Sequence, residues 1–193
     1  MSFRSDIPVI VIGSSKFREM SLAPQRRDRV KVLGASEGTI QSLQDFLKLF
    51  ASLTIQQNNF DFYLRVHPAI SEKELRIALQ NAGNAKVVIS RNSLHEDLST
   101  STYCIYRSSA VAIEGLAYGV TPIYFDQSRS QGLNPLYLAG LHLPAFGSAD
   151  ELACFFEDVS ALDAANQGIG SEELYRISEG YFSKLVSKFP KDF

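Results

Sequence analysis

The stretch Arg29-Val30-Lys31-Val32-Leu33, followed by Gly34-Ala35-Ser36-Glu37-Gly38 and a run from Thr39 to Thr54, decides the fold class. Its first segment is rich in valine and ends in small residues, the mark of a buried strand entering a turn. The run after it places Ile40, Leu43, Phe46, Leu47, Phe50 and Leu53 close to a helical period, so one stripe is apolar. Phe60-Asp61-Phe62-Tyr63-Leu64-Arg65-Val66 then reads as a second strand, stopped by His67-Pro68. A strand, a helix and a further strand joined by short turns form the unit from which parallel sheets are built. Parallel neighbours cannot be joined by a hairpin and need a crossover.

The unit recurs downstream. Ser71 and Glu74 have capping-box spacing, as do Ser93 and Glu96, and each pair opens a helix by satisfying orphan amides of its first turn. Lys86–Ile89, Tyr103–Tyr106 and Thr121–Phe125 read as strands, and Ser109–Tyr118 as a helix between the last two. Gly83 is placed to end the helix that Ser71 starts. Ser148 and Glu151 open a helix bearing Leu152, Phe155, Phe156 and Val159, and a last helix is expected over 172–188. Such alternation predicts an α/β fold, a Rossmann-like parallel sheet with helices on both faces. Upstream, Asp6–Gly13 is a further β-branched run, and Ser14 to Arg29, with Pro24 and Arg26-Arg27, lacks periodicity. The expected organisation is therefore a strand and linker remnant over 1–28 and a Rossmann-like domain with C-terminal helices over 29–193.

Composition narrows the function. With 45% hydrophobic and 21% charged residues, the 193-residue chain has the balance of a globular protein able to bury its own core. A formal net charge of -2 and a pI near 5.9 give no basic footprint, which excludes nucleic acid as the expected partner. No apolar run is long enough for a transmembrane segment, and no signal-peptide core follows Met1, so a cytoplasmic location is expected. Cys104 and Cys154 lack metal or redox spacing and are both expected to be small buried hydrophobes.

In an open parallel sheet, ligands bind beyond the carboxyl ends of the strands, where helix amino ends present free amides. The most informative such stretch is Tyr106-Arg107-Ser108-Ser109, continuing through Glu114 and Gly119 to Thr121-Pro122-Ile123. Ser108 and Ser109 either cap the helix or hold an anion such as a diphosphate with hydroxyls and amides. Glu114 stands among Ala, Val, Ile, Leu and Gly, where an unpaired carboxylate is costly. It therefore needs either a structural partner or the two hydroxyls of a ribose. His67 is either an ordinary strand-end residue or a ligand contact at the same end of the sheet. His95, Glu96 and Asp97 are adjacent, so their side chains diverge and metal ligation is not expected. Asp126, Gln127, Ser128 and Arg129 either border the pocket or form a solvated loop, and His142 has no assigned task.

The segment Leu94–Asp126, with Ser108-Ser109, Ile113-Glu114-Gly115-Leu116-Ala117-Tyr118-Gly119 and the closing Thr121-Pro122-Ile123, resembles the donor-binding segment of GT-B glycosyltransferases. It looks most like the bacterial enzymes of surface and capsular polysaccharide biosynthesis. Arg65-Val66-His67-Pro68 is similar to the Arg-x-His-Pro of capsule-type transferases, and Val9–Phe17 to the end of a preceding acceptor domain and its linker. The resemblance implies one half of a GT-B fold that binds a nucleotide sugar of UDP, CDP, GDP or CMP type. Arg65, His67, Ser108 and Ser109 would contact the donor phosphates, and Glu114 the ribose. It also implies a separate or truncated acceptor domain, and a place at the inner membrane reached through partners. Retaining members often carry a second glutamate eight positions before the ribose-binding one, and Tyr106 stands there. No catalytic base is assigned, and no cofactor or obligatory metal is expected. Two alternatives remain at this point: a sugar-nucleotide epimerase-like domain, and a non-catalytic binding or assembly module on the same scaffold.

Overall fold

A computed structural model describes residues 30–82, 87–128, 130, 132–138, 143 and 145–165. The run Asp6–Gly13, the 1–28 linker, Gly83, Arg129, His142 and the helix expected over 172–188 lie outside the described residues. Six strands and six helices are described: β1 (Val30–Ala35), α1 (Ile40–Gln56), β2 (Phe60–Arg65), α2 (Glu72–Asn81), β3 (Val88–Ile89) and α3 (Leu94–Thr100). They continue with β4 (Tyr103–Tyr106), α4 (Val111–Ala117), β5 (Thr121–Phe125), α5 (Pro135–Leu138), β6 (Ala145–Phe146) and α6 (Ala149–Ala165).

The sheet runs β3-β2-β1-β4-β5-β6, and every neighbouring pair is parallel. This is the Rossmann-like order, winding outward in one direction from β1 and in the other from β4. Strand alternation sends side chains to two faces. Val32 on β1, Phe60, Phe62 and Leu64 on β2, Tyr103 and Ile105 on β4, and Ile123 and Phe125 on β5 join Phe46, Phe50 and Phe156 in one core. That face is covered by α1, α2 and α6. Leu33, Ala35 and Cys104 face the other way, against Leu98 of α3. Tyr106 and Tyr124 pack there with Ala112 and Leu116 of α4. At roughly 1.5–3 kcal/mol for each large apolar side chain removed from water, these two layers hold the sheet.

Local chemistry sets the element ends. Thr39 caps α1 by accepting the Ser42 amide, and full capping boxes at Ser71/Glu74 and Ser93/Glu96 start α2 and α3. The serine hydroxyls and amides hold the Glu74 and Glu96 carboxyls below the usual range. At the end of α4, Gly119 takes φ 69°, and the Gly119 and Val120 amides return to the Leu116 and Gly115 carbonyls. That left-handed turn favours glycine and points the chain into β5. Gly34 is required for another reason: a Cβ there would lie 2.4 Å from Phe50 Cζ, so α1 crosses β1 at a contact only glycine permits.

One expectation is corrected. Cys104 is buried, its thiol pushed up to about 12 chiefly by burial, but Cys154 is exposed. Leu152, Ala153 and Phe156 form the buried side of α6, and Cys154 falls off that stripe. The elements β6 and α5 were not anticipated, and α4 is shorter than the expected 109–118 helix.

Candidate functional site

The sheet order reverses between β1 and β4, and in open α/β sheets such a switch point is where a crevice beyond the strand carboxyl ends takes the ligand; here the loops that follow the two strands meet. The β1 loop is anchored from beneath. Ser36 is buried, and its amide donates to the Arg65 carbonyl at 3.2 Å, while its hydroxyl accepts the His67 amide at 3.3 Å. The Glu37 amide donates to the buried Ser42 hydroxyl at 3.1 Å. The loops after β1 and β2 are thereby stitched together.

Across the switch point the Glu37 carboxylate collects four donors. Its Oε1 accepts Arg107 Nε at 2.9 Å, the Ser108 amide at 3.0 Å and Ser108 Oγ at 2.7 Å. Its Oε2 accepts Arg107 Nη2 at 2.6 Å. The guanidinium therefore meets the carboxylate with two parallel bonds, the strong geometry for such a pair. Hydrogen bonding from Arg107, opposed by burial and aided by Ser108, holds the Glu37 carboxyl at about 2. The same contacts raise Arg107 further above its ordinary value. Asp45 of α1 stands 3.7 Å from Arg107 Nη1, and Asp126, after β5, adds to the attraction.

The five residues expected at the site fall into distinct settings. Ser108 belongs to the Glu37 cluster. Ser109 Oγ accepts the Val111 amide at 3.3 Å and so opens α4 locally, while Ala110 at the N-cap makes no side-chain cap. Glu114 is half-buried in the first turn of α4. His67 packs on the β1 loop, where a Cβ on Gly38 would lie 3.1 Å from its Nδ1. That Nδ1 accepts the Ala69 amide at 3.1 Å, so in the neutral ring the proton sits on Nε2. Arg65 turns toward α3: its Nη1 donates to the Asn92 carbonyl at 2.9 Å and to Asp97 Oδ2 at 3.0 Å.

Asp97 is a structural hub. It is fully buried, receives Ser90 Oγ at 2.7 Å, and lies 3.6 Å from Lys31 Nζ. His95 instead meets the Tyr118 hydroxyl at 2.8 Å, and Glu96 serves its capping box, so the three adjacent residues do diverge. Asp126 folds its own loop through Ser128 and Ser130. Tyr106 is buried and donates to Asn134 Oδ1 at 2.8 Å. Among the described residues no group of three or more His, Cys, Asp or Glu is placed to hold a metal, and no helix is long and apolar enough to cross a membrane.

Strand order and converging loops together define the class: a Rossmann-like α/β domain whose polar cluster lies at its topological switch point. No family model matches the sequence, and no curated protein does. Among solved structures, the chain is similar to the C-terminal domain of a glycosyl transferase group 1 family protein from Francisella tularensis. The identity is 13% and the TM-score 0.48, over 82% of this chain and 85% of that one. It is also similar to a protein described as a UDP-N-acetylglucosamine 2-epimerase from Listeria monocytogenes. There the identity is 15% and the TM-score 0.47, over 77% of this chain but 39% of the other. The fold assignment rests on the strand order itself.

Proposed function

We propose that the switch-point crevice binds the diphosphate of a nucleotide sugar, and that the chain is the donor-binding part of a GT-B glycosyltransferase of surface polysaccharide or glycoconjugate synthesis. The observation that carries this reading is the four-donor cluster on Glu37, which makes the loops after β1 and β4 an anion-holding arrangement. Arg107, absent from the sequence expectation, joins Ser108 as the principal phosphate contact. The His67 ring borders the same loop at Gly38, and Arg65 contributes positive charge at the end of β2 while tied to Asp97. Glu114, one turn into α4, receives the ribose hydroxyls, and Ser109 positions the turn before it.

In such a transfer the part of this domain is electrostatic. Charge builds on the departing nucleoside diphosphate, and fixed cationic and amide donors stabilise it without an obligatory metal. A base for the acceptor comes in this reading from a partner domain.

Calorimetric titration of the chain with UDP, CDP, GDP and CMP tests the proposal. Binding of at least one is expected, with loss of that binding in the Ser109→Ala/Glu114→Ala variant and a retained circular dichroism spectrum. Absence of heat with all four overturns it.

A further inference from the structure

The Glu37 carboxylate is bound the way a ligand anion would be. One oxygen takes a guanidinium N–H, a backbone amide and a hydroxyl, and the other takes the second guanidinium N–H at 2.6 Å. A guanidinium edge beside a loop amide and a serine is a donor set suited to phosphate oxygens as much as to a carboxylate. We propose that Glu37 is an internal stand-in for the ligand, and that a phosphate group enters the switch point by displacing its side chain from Arg107 and Ser108. The inference rests on the reading above that this crevice takes a phosphate-bearing ligand, and adds that its occupancy is contested from within.

Three features make the side chain displaceable rather than a fixed strut. Its main chain is held independently, by the Ser42 hydroxyl on its own amide and by the pairing of Ser36 with Arg65, so rotation about side-chain bonds suffices. The pair is not sealed in: the Glu37 and Arg107 side chains are 16% and 22% exposed, and Gly38 beside them is exposed. Arg107 also keeps an anchor when Glu37 leaves, because Nη1 already lies 3.7 Å from Asp45 on α1. The donors therefore stay in place for an incoming anion.

Displacement has an affinity consequence. A ligand that binds only the Glu37-out state has its apparent affinity lowered by the fraction of molecules in that state. A singly charged carboxylate is outcompeted most readily by a group of higher charge, which favours a diphosphate over a simple monoanion.

The test measures inorganic pyrophosphate binding by calorimetry to the unaltered chain and to Glu37→Gln, Glu37→Asp and Glu37→Gln/Arg107→Gln variants, with circular dichroism as the fold control. Glu37→Gln should bind about tenfold more tightly or better, a gain of about 1.4 kcal/mol. Glu37→Asp, which withdraws the carboxylate by one methylene, should gain less, and the double variant should lose the gain. Equal or weaker binding by both single variants, or a gain that survives Arg107→Gln, overturns the proposal. The two readings fail separately. A pyrophosphate gain with no heat from UDP, CDP, GDP or CMP in any variant sinks the nucleotide reading and leaves displacement standing. Nucleotide binding to the unaltered chain without a gain in Glu37→Gln does the reverse.

Discussion

Replacing Glu37 by Gln should cost stability at neutral pH and almost none in strong acid. The Glu37 carboxyl is held at about 2 in the fold, against an ordinary 4.5. At about 1.4 kcal/mol per pH unit, that gap corresponds to roughly 3 kcal/mol favouring the folded chain. A depressed folded value stabilises above the unfolded value, so the contribution is complete above pH 4.5 and is lost as pH falls toward 2. Glutamine keeps the shape and one acceptor oxygen, and Asp45, already 3.7 Å from Arg107, takes up part of the released attraction. The expected loss at pH 7 is therefore about 2 kcal/mol, below that ceiling. Urea unfolding followed by circular dichroism is the assay, since the chain has no Trp. Run at pH 7, 5, 4 and 3, the two proteins should converge steadily below pH 5. A constant difference at every pH, or none at pH 7, would refute the claim that the carboxylate is bound as an anion.

Two further outcomes follow from packing. Gly34→Ala puts a Cβ 2.4 Å from Phe50 Cζ and should destabilise by about 1–3 kcal/mol, with partial recovery in Gly34→Ala/Phe50→Leu; an unchanged urea midpoint contradicts the close crossing of α1 over β1. Native protein treated with a maleimide should gain a single adduct at exposed Cys154, and a second at Cys104 only in denaturant, so rapid double labelling in native buffer refutes the buried assignment of Cys104.

How much of this was legible in the sequence follows the range of the interactions. The Ser71/Glu74 and Ser93/Glu96 boxes and the apolar stripe of α1 are local, so spacing alone places α1, α2 and α3. Thr121–Phe125 is bounded by a left-handed Gly119 and by Asp126, and its limits are found from the sequence to the residue. The two-residue β6 and the four-residue α5 are too short to display any period, and only their neighbours make them regular. The stripe of α6 is visible, yet its width is not, which is why Cys154 was misplaced.

The site fails to show for a different reason. Glu37 and Arg107 are 70 positions apart, and no local spacing links the two. Their meeting depends on β1 and β4 being neighbours, which no local pattern reports. Topology supplies the missing signal: once β1 and β4 are neighbours, the polar residues just beyond Ala35 and Tyr106 lie at the same end of the sheet, where Glu37 meets Arg107 and Ser108 while Ser36 turns to the β2 loop. Residue chemistry in the loop after β4 draws attention to the serines, but a serine hydroxyl alone is a weak anion holder, and the guanidinium before it carries the charge. The same logic separates Arg65 from Arg107. Both close a strand or follow one, yet Arg65 falls on the face covered by α3 and is drawn to buried Asp97, whereas Arg107 reaches across the switch point. Facing and strand order, rather than residue type, decide which arginine is offered to a ligand.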